Sequence, residues 1–333
     1  MRTLLTRAGA LARRRPHVGA RTRIGHEGLR AALSQEIDAN GSPVTIDKAT
    51  WFVCFVPGLQ KQWWHRFAHE SHRHVFAIRK VRDDTWLLVE PWWTRLMVNV
   101  LTFDEAVKFL RWGAAGHILE VSESIPGHGS QARGWSNCAV LASFLLGRSY
   151  WTWTPHGLYR RLRADPDVRE VELTQFLKEH ITALAKRNAD ALPEVAPVHD
   201  PDSLQDALVE LGVGILTAAT STTAVSLYRA TVSESDRFKE AAQAFWTFGP
   251  YQAVDRIRDL LEGARLRGEL SLADAQTAAR QFLAMLRGDL YLHVVFGMRS
   301  APGPREIRAH ATSVAQVFLR GARPAAERLA CTD

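Results

Sequence analysis

The stretch LPEVAPVHDPD, residues 192–202, separates two unlike kinds of sequence. Its three prolines each fix φ and remove a backbone donor, so it reads as a linker. From Ser203 onward the chain is a series of capped helical pieces. YQAVDRIRDLLEGARLRG (251–268) places Val254, Ile257, Leu260, Leu261 and Ala264 on one stripe, enters through Gly249-Pro250 and leaves near Gly268. SLADAQTAARQFLAMLRG (271–288) offers Ser271 as the cap and Asp274 at the third helical position, and is apolar on more than one side. PREIRAHATSVAQVFLRG (304–321) begins with Pro304 in its first turn and aligns Ile307, Ala311, Val314 and Phe318. A run of such helices predicts an all-α bundle.

On the other side of the linker the pattern is short, apolar and strand-like: WFVCFVPG (51–58), HVFAIRKV (74–81), TWLLVEP (85–91) and HILEVSE (117–123). Helices interrupt these strands. TFDEAVKFLRWG (102–113) has Thr102 and Glu105 at capping-box spacing, SNCAVLASFLLG (136–147) stops at Gly147, and TPHGLYRRLRA (154–164) has Thr154 as cap with Pro155 at the first helical position. A further helix, FLKEHITALAKRN (176–188), leads to the linker. Ten of the eleven tryptophans lie between Trp51 and Trp153, and the remaining one is Trp246. The expectation is two domains. A basic arm (1–47) precedes a mixed α/β (α+β) domain over 48–165, a helix and linker over 166–200, an all-α bundle over 201–322 and a tail at 323–333.

Of the formal charge of +7, residues 1–30 supply all, with eight Arg against Glu27. The remainder is balanced, which removes any global argument for nucleic-acid binding. The arm itself reads as a disordered leader, with a transit peptide or a nucleic-acid arm as the other options. Three scattered cysteines, Cys54, Cys138 and Cys331, fit free thiols in a reducing compartment, so the expected location is cytoplasmic. No run approaches the ~18–20 apolar residues of a membrane span, and no cofactor motif is present.

Candidate chemistry centres on Ser136-Asn137-Cys138 at a helix start, where the positive end of the helix dipole favours a thiolate. His74 opens one strand and Glu90 closes its neighbour. If the strands pair beneath that helix, thiol, imidazole and carboxylate meet as nucleophile, base and orienting group. The plain alternative is that Cys138 is a small buried hydrophobe. His65 and His69 are one helical turn apart, with His72 and His74 beyond, but no carboxylate or thiol completes a spaced motif, so no metal is expected.

The runs SLYRATVSESDRFKEAAQAFWTFGP (226–250), GELSLADAQTAARQFLAMLRGDLYLHVVFG (268–297) and AHATSVAQVFLRG (309–321) resemble the C-terminal domain of TetR-type repressors, particularly the AefR-like group. The resemblance covers about residues 200–321. It implies a homodimer through the last two long helices, with Phe282, Leu286, Ile307, Val314 and Phe318 at the interface. It also implies a small apolar ligand enclosed by earlier helices, for which Tyr228, Phe238, Phe245, Trp246 and Phe248 are candidates. LRAALSQEIDANGSPVTIDKATWF (29–52) is too short to hold the helix-turn-helix of such repressors before the first strand, so specific DNA binding is not expected.

The order His, polar residue, then Cys on a helix over residues 50–164 resembles permuted papain-like proteins of the NlpC type and the lecithin-retinol acyltransferase group. In the latter the nucleophile also follows an Asn, as Cys138 follows Asn137, although Ala139 and Val140 depart from the acyltransferase pattern. This implies a cysteine hydrolase or acyltransferase using Cys138, His74 and Glu90. The two resemblances together suggest a dimeric regulator with a sensing domain fused to a papain-like domain. An acyl hydrolase or amidase that the helices merely dimerise is the alternative, and a fusion with neither half working as its relatives do is the blandest reading.

Overall fold

Alternation of side chains along a strand explains why the Trp-rich half needs two apolar faces. The computed structural model describes residues 46–58, 66–92, 95–124, 137–148, 150–193 and 201–323. Its strands β1 (Thr50–Val56), β2 (His74–Lys80), β3 (Trp86–Pro91), β4 (Leu96–Leu101), β5 (His117–Ser122) and β6 (Arg169–Glu170) form one sheet in the order β4-β3-β2-β1-β5-β6. All pairs are antiparallel. Central β1 turns Trp51, Val53 and Phe55 to one face and Phe52, Cys54 and Val56 to the other, and all six are buried. The continuous apolar run is therefore a strand covered on both sides. β4 and the two-residue β6 are additions to the four predicted strands. Edge strand β4 leaves Leu96, Val98 and Val100 exposed, so its alternation carries no core signal.

Helix α1 (Phe103–Ala114) begins as expected, with the Thr102 backbone N–H donating to Glu105 Oε2 at 2.9 Å. It crosses the sheet close to β1: a Cβ on Gly113 would lie 2.8 Å from Cys54 Sγ. Helices α2 (Cys138–Leu145) and α3 (Pro155–Arg163) cover the opposite face, where Ala139, Ala142, Leu158 and Leu162 meet Trp51, Val53 and Phe55. Capping fixes both starts. Asn137 Oδ1 accepts from the Val140 N–H at 3.0 Å, and Thr154 Oγ1 accepts from the Gly157 N–H at 3.0 Å.

Beyond them come α4 (Leu173–Asp190), α5 (Pro201–Ala219), α6 (Thr222–Glu234), α7 (Lys239–Phe248), α8 (Pro250–Leu266), α9 (Ala275–Val295) and α10 (Pro304–Ala322). The cap of α9 is Asp274, whose carboxylate accepts from the N–H groups of Gln276 and Thr277, so the helix starts later than a Ser271 cap implies. Among the described residues no single helix is long and apolar enough to cross a membrane. The bent pair α5–α6, which together would have the composition, buries Leu208, Leu211, Leu216 and Leu227 inside the protein.

Two sequence-based expectations change here. The two halves do not stand as independent bodies, because the described residues from Lys48 onward belong to one compact unit. Phe52, Phe76, Ile78, Trp86 and Leu88 of the sheet share one core with Leu177 and Ile181 of α4, Leu227 and Ala230 of α6, and Ala241 and Phe245 of α7. Local composition cannot register contacts between residues this far apart in the chain. The second change concerns the expected subunit interface. Phe282, Leu286, Ile307 and Val314 are buried within the single chain and Phe318 is packed against the same cluster, so they join α9 and α10 to α5 and α8. The arm at 1–45, the tail at 324–333 and Trp63, Trp64, His65 and Trp93 lie outside the described residues.

The shared core predicts joint unfolding. Tryptophan fluorescence, which reports mainly the sheet half, and far-ultraviolet circular dichroism, which reports mainly the helices, should trace one coincident denaturation curve. Leu227→Ala should lower stability by about 2–5 kcal/mol and move both curves together. Separate midpoints for the two signals in the parent chain would contradict the shared core.

Candidate functional site

The three groups expected to meet are brought together at one end of the sheet. His74 is the first residue of β2 and pairs across the ladder with Val56 of β1. Glu90 lies on adjacent β3, and its carboxylate Oε1 is 3.4 Å from His74 Nε2. The Cys138 thiol, from the first position of α2, lies beside the imidazole. Trp112 of α1 stacks on the His74 ring at 6.0 Å between centroids. Burial alone would lower the His74 pKa, but hydrogen bonds and charge from Cys138 and Glu90 outweigh it and push the value up to about 9. The ring is thus a cation at neutral pH, held between a sulfur and a buried carboxylate.

The local sequence explains this geometry. Asn137 is held at both ends of its amide, with Oδ1 on the Val140 N–H and Nδ2 donating to the Trp153 carbonyl at 2.7 Å. That fixes the first turn of α2 and hence the sulfur. The first N–H groups of a helix have no intrahelical partner, so Cys138 and Ala139 carry donors beside the thiol. Cys54 differs in kind: it is fully buried in β1, and desolvation pushes its pKa up.

A second concave site lies in the helical part. It is an open-mouthed pocket of about 620 Å³ of empty space, counting its mouth, between α4, α5, α6, α7, α8 and α9. Its wall is apolar, with Ile215, Leu227, Phe245 and Leu283 prominent, and its polar groups are Asn188, Arg287 and Tyr291. Arg287 donates to Tyr291 Oη at 3.1 Å, and its guanidinium carbon lies 4.5 Å from the Tyr291 ring centre, 5.8 Å from that of Tyr228 and 5.9 Å from that of Trp246. Gly288 beside it kinks α9.

Of the five aromatics expected around a ligand, Phe245 lines the pocket directly. Tyr228 and Trp246 border it through Arg287. The other two sit elsewhere: Phe238 packs on the core beneath the sheet and Phe248 lies under the Lys186 ammonium, 4.5 Å from its ring centre. Sequence reasoning missed Arg287, Asn188 and Tyr291. The signal for Arg287 was present, a lone cation ahead of Gly288 in the otherwise apolar run FLAMLRG. Asn188 belongs to α4, a helix assigned to the linker region.

Residues 206–321 match the family model of the AefR-like transcriptional repressor C-terminal domain. Among solved structures the chain is similar to the flavonoid-responsive regulator FrrA, at 24% identity over 55% of this chain and 85% of that one, with a TM-score of 0.42. A TetR-family transcriptional regulator from Mesorhizobium loti matches at 14% identity over 56% and 87%, with a TM-score of 0.41. A TetR transcriptional regulator from Agrobacterium tumefaciens matches at 21% identity over 51% and 84%, with a TM-score of 0.39. No curated protein sequence matches the chain.

The contrast between Cys138 and Cys54 is directly measurable. In a Cys331→Ala background, a water-soluble disulfide reagent should modify Cys138 in the native chain, while Cys54 should react only after denaturation. Equal reaction of both thiols under native conditions would overturn the placement of Cys54.

Proposed function

We propose that the protein is a small-molecule-responsive regulatory protein whose helical part senses the ligand and dimerises. The observation that carries this reading is that Leu227 and Phe245 are at once pocket wall and part of the core beneath the sheet. A ligand that favours one packing of these side chains therefore acts on the sheet half as well, which is what a sensor requires. The pocket suits a molecule with an apolar aromatic body and one anionic group. Arg287 supplies the charge, and Tyr228, Trp246 and Tyr291 supply ring faces. Family membership of residues 206–321 supports the same reading.

The dimer surface is the outward side of the last two helices. Met285, Leu292 and Phe296 are exposed on and just after α9, and Val317 is exposed on α10. These take the place of the buried residues first expected there. Sedimentation of the full chain should give a dimer, and the Phe296→Glu/Val317→Glu variant a monomer with unchanged circular dichroism. A monomeric parent chain would defeat this part of the proposal.

For the pocket, 1-naphthoate should raise the melting temperature more than neutral 1-naphthamide, with a stabilisation of about 2.7 kcal/mol when ligand reaches one hundred times its Kd. Arg287→Ala should erase the difference between the two compounds, and Trp246→Ala should blunt both shifts. Identical shifts in the parent and Arg287→Ala proteins would refute the anion assignment.

A second reading is supported by His74 lying between Cys138 and Glu90: the sheet half is a cysteine acyl hydrolase. In that chemistry Sγ attacks the carbonyl carbon of an ester, and the oxyanion is met by the free N–H groups at the start of α2. The C–O bond breaks as the alcohol leaves with a proton from His74. Water, losing a proton to His74, then attacks the thioester and releases the acid and the sulfur. Glu90 keeps the ring oriented throughout. With a p-nitrophenyl ester, mass spectrometry should find the acyl group on Cys138. Cys138→Ala should abolish turnover, and His74→Ala should lower it about 10²–10⁴-fold. Undiminished hydrolysis by Cys138→Ala would rule the reading out.

A further inference from the structure

We propose that His69, His72 and His156 form a binding site for a divalent transition metal of the zinc class, with His117 and Glu170 orienting His72 from behind. The histidines come from three separate parts of the chain. His69 and His72 precede β2, His117 opens β5, and His156 is the second residue of α3. One ring nitrogen from each of His69, His72 and His156 lies within 4.8 Å of the other two. His72 Nδ1 and His156 Nδ1 are 2.9 Å apart. Around tetrahedral zinc, with Zn–N distances of about 2.0–2.1 Å, neighbouring ligand atoms are about 3.3 Å apart, so this pair needs to open by only a few tenths of an ångström. That contact is a hydrogen bond between the two rings, whose proton the metal would replace.

The supporting shell fits the same assignment. His72 Nε2 is 2.9 Å from His117 Nδ1, and His117 Nε2 is 3.8 Å from Glu170 Oε1. When Glu170 faces an N–H at His117 Nε2, His117 Nδ1 is left to accept from His72 Nε2–H. The lone pair of His72 Nδ1 then points into the cluster, the arrangement by which a carboxylate orients a metal-binding histidine. His72 is itself buried, and the Tyr159 ring packs on it at 4.2 Å between centroids. Metal binding needs each ring neutral, with its lone pair turned toward the ion.

Ligand chemistry selects the ion. Three imidazoles with an open fourth position suit zinc, cobalt or nickel and are poor for calcium or magnesium, which take oxygen ligands. His69 is exposed and stacked on His156 at 4.2 Å, and it would turn out of that stack to close the site. Its Nδ1 now accepts a long 3.3 Å bond from the Ser71 N–H. Two cations oppose the ion: Arg160 near His156, and Arg163, whose Nη2 is 3.3 Å from Glu170 Oε2. The sequence gives no spaced motif for this site because His117 and His156 are remote from the His65–His74 cluster. His65 itself lies outside the described residues.

The test uses the full chain, free of any histidine tag and stripped with a chelator. Zinc titration should show a saturable site that disappears in His69→Ala/His156→Ala and persists in Cys138→Ser. Cobalt should give the intense visible absorption of a low-coordinate site. Glu170→Gln should weaken zinc by about 10–100-fold. Absence of saturable zinc binding by the parent chain, or equal affinity in the double variant, overturns the site. Unchanged affinity in Glu170→Gln overturns the orienting role of His117 and Glu170.

Discussion

The apolar layer beneath the sheet is the constraint on which the rest depends. Phe52, Phe76, Ile78, Trp86 and Leu88 must be covered, and α1 alone does not cover them; α4, α6 and α7 complete the task. Burial of a Leu or Phe side chain is worth about 1.5–3 kcal/mol, so a layer of this size outweighs any tendency of the linker to let the halves part. A buried polar pair adds direction to it. Glu234 of α6, with its side chain 4% exposed, receives Arg111 Nη1 of α1 at 3.0 Å. Its geometry fixes which turn of α6 faces α1, although Arg111 is partly solvated and the pair adds little net stability.

That layer also places the sites. The residues just before β2, the start of β5 and the starts of α2 and α3 converge at one end of the sheet, which is why two groups of titratable side chains assemble there. His72 and His74 are two residues apart yet serve different surroundings. His74 faces Glu90 and Cys138, and burial there is outweighed by negative neighbours. His72 faces other histidines, and burial and like charge act in the same direction. The pocket in the helical part lies on the far side of the same layer, with Leu227 and Phe245 common to both.

The local elements were legible in the sequence wherever one residue's neighbours in the chain decide the matter. Helix starts are marked at Asn137 and Thr154, whose side chains accept from N–H groups of the first turn, and at Thr102, whose backbone N–H donates to the Glu105 side chain. The β1 run marks a doubly covered strand. The proximity of His74 and Glu90 followed from the pairing of their strands. Arg287 and Asn188 did not, since a pocket wall is drawn from six helices and no spacing in any one of them reveals it. The packing of Phe282, Leu286, Ile307 and Val314 inside the single chain was hidden for a related reason. An apolar stripe states that a helix face is covered, and cannot state whether the cover is the same chain or another.

The sequence by itself determined the element types, the change from strands to helices, and the likeness of residues 206–321 to a known family model. These are properties of short-range periodicity, capping and motif. Only the tertiary structure decided that the two halves are one body, that the interior faces of α9 and α10 are spent within the chain, and that four histidines spread from residue 69 to residue 156 form a cluster. Each of these rests on contacts between residues far apart in the chain, and burial, not local preference, selects them.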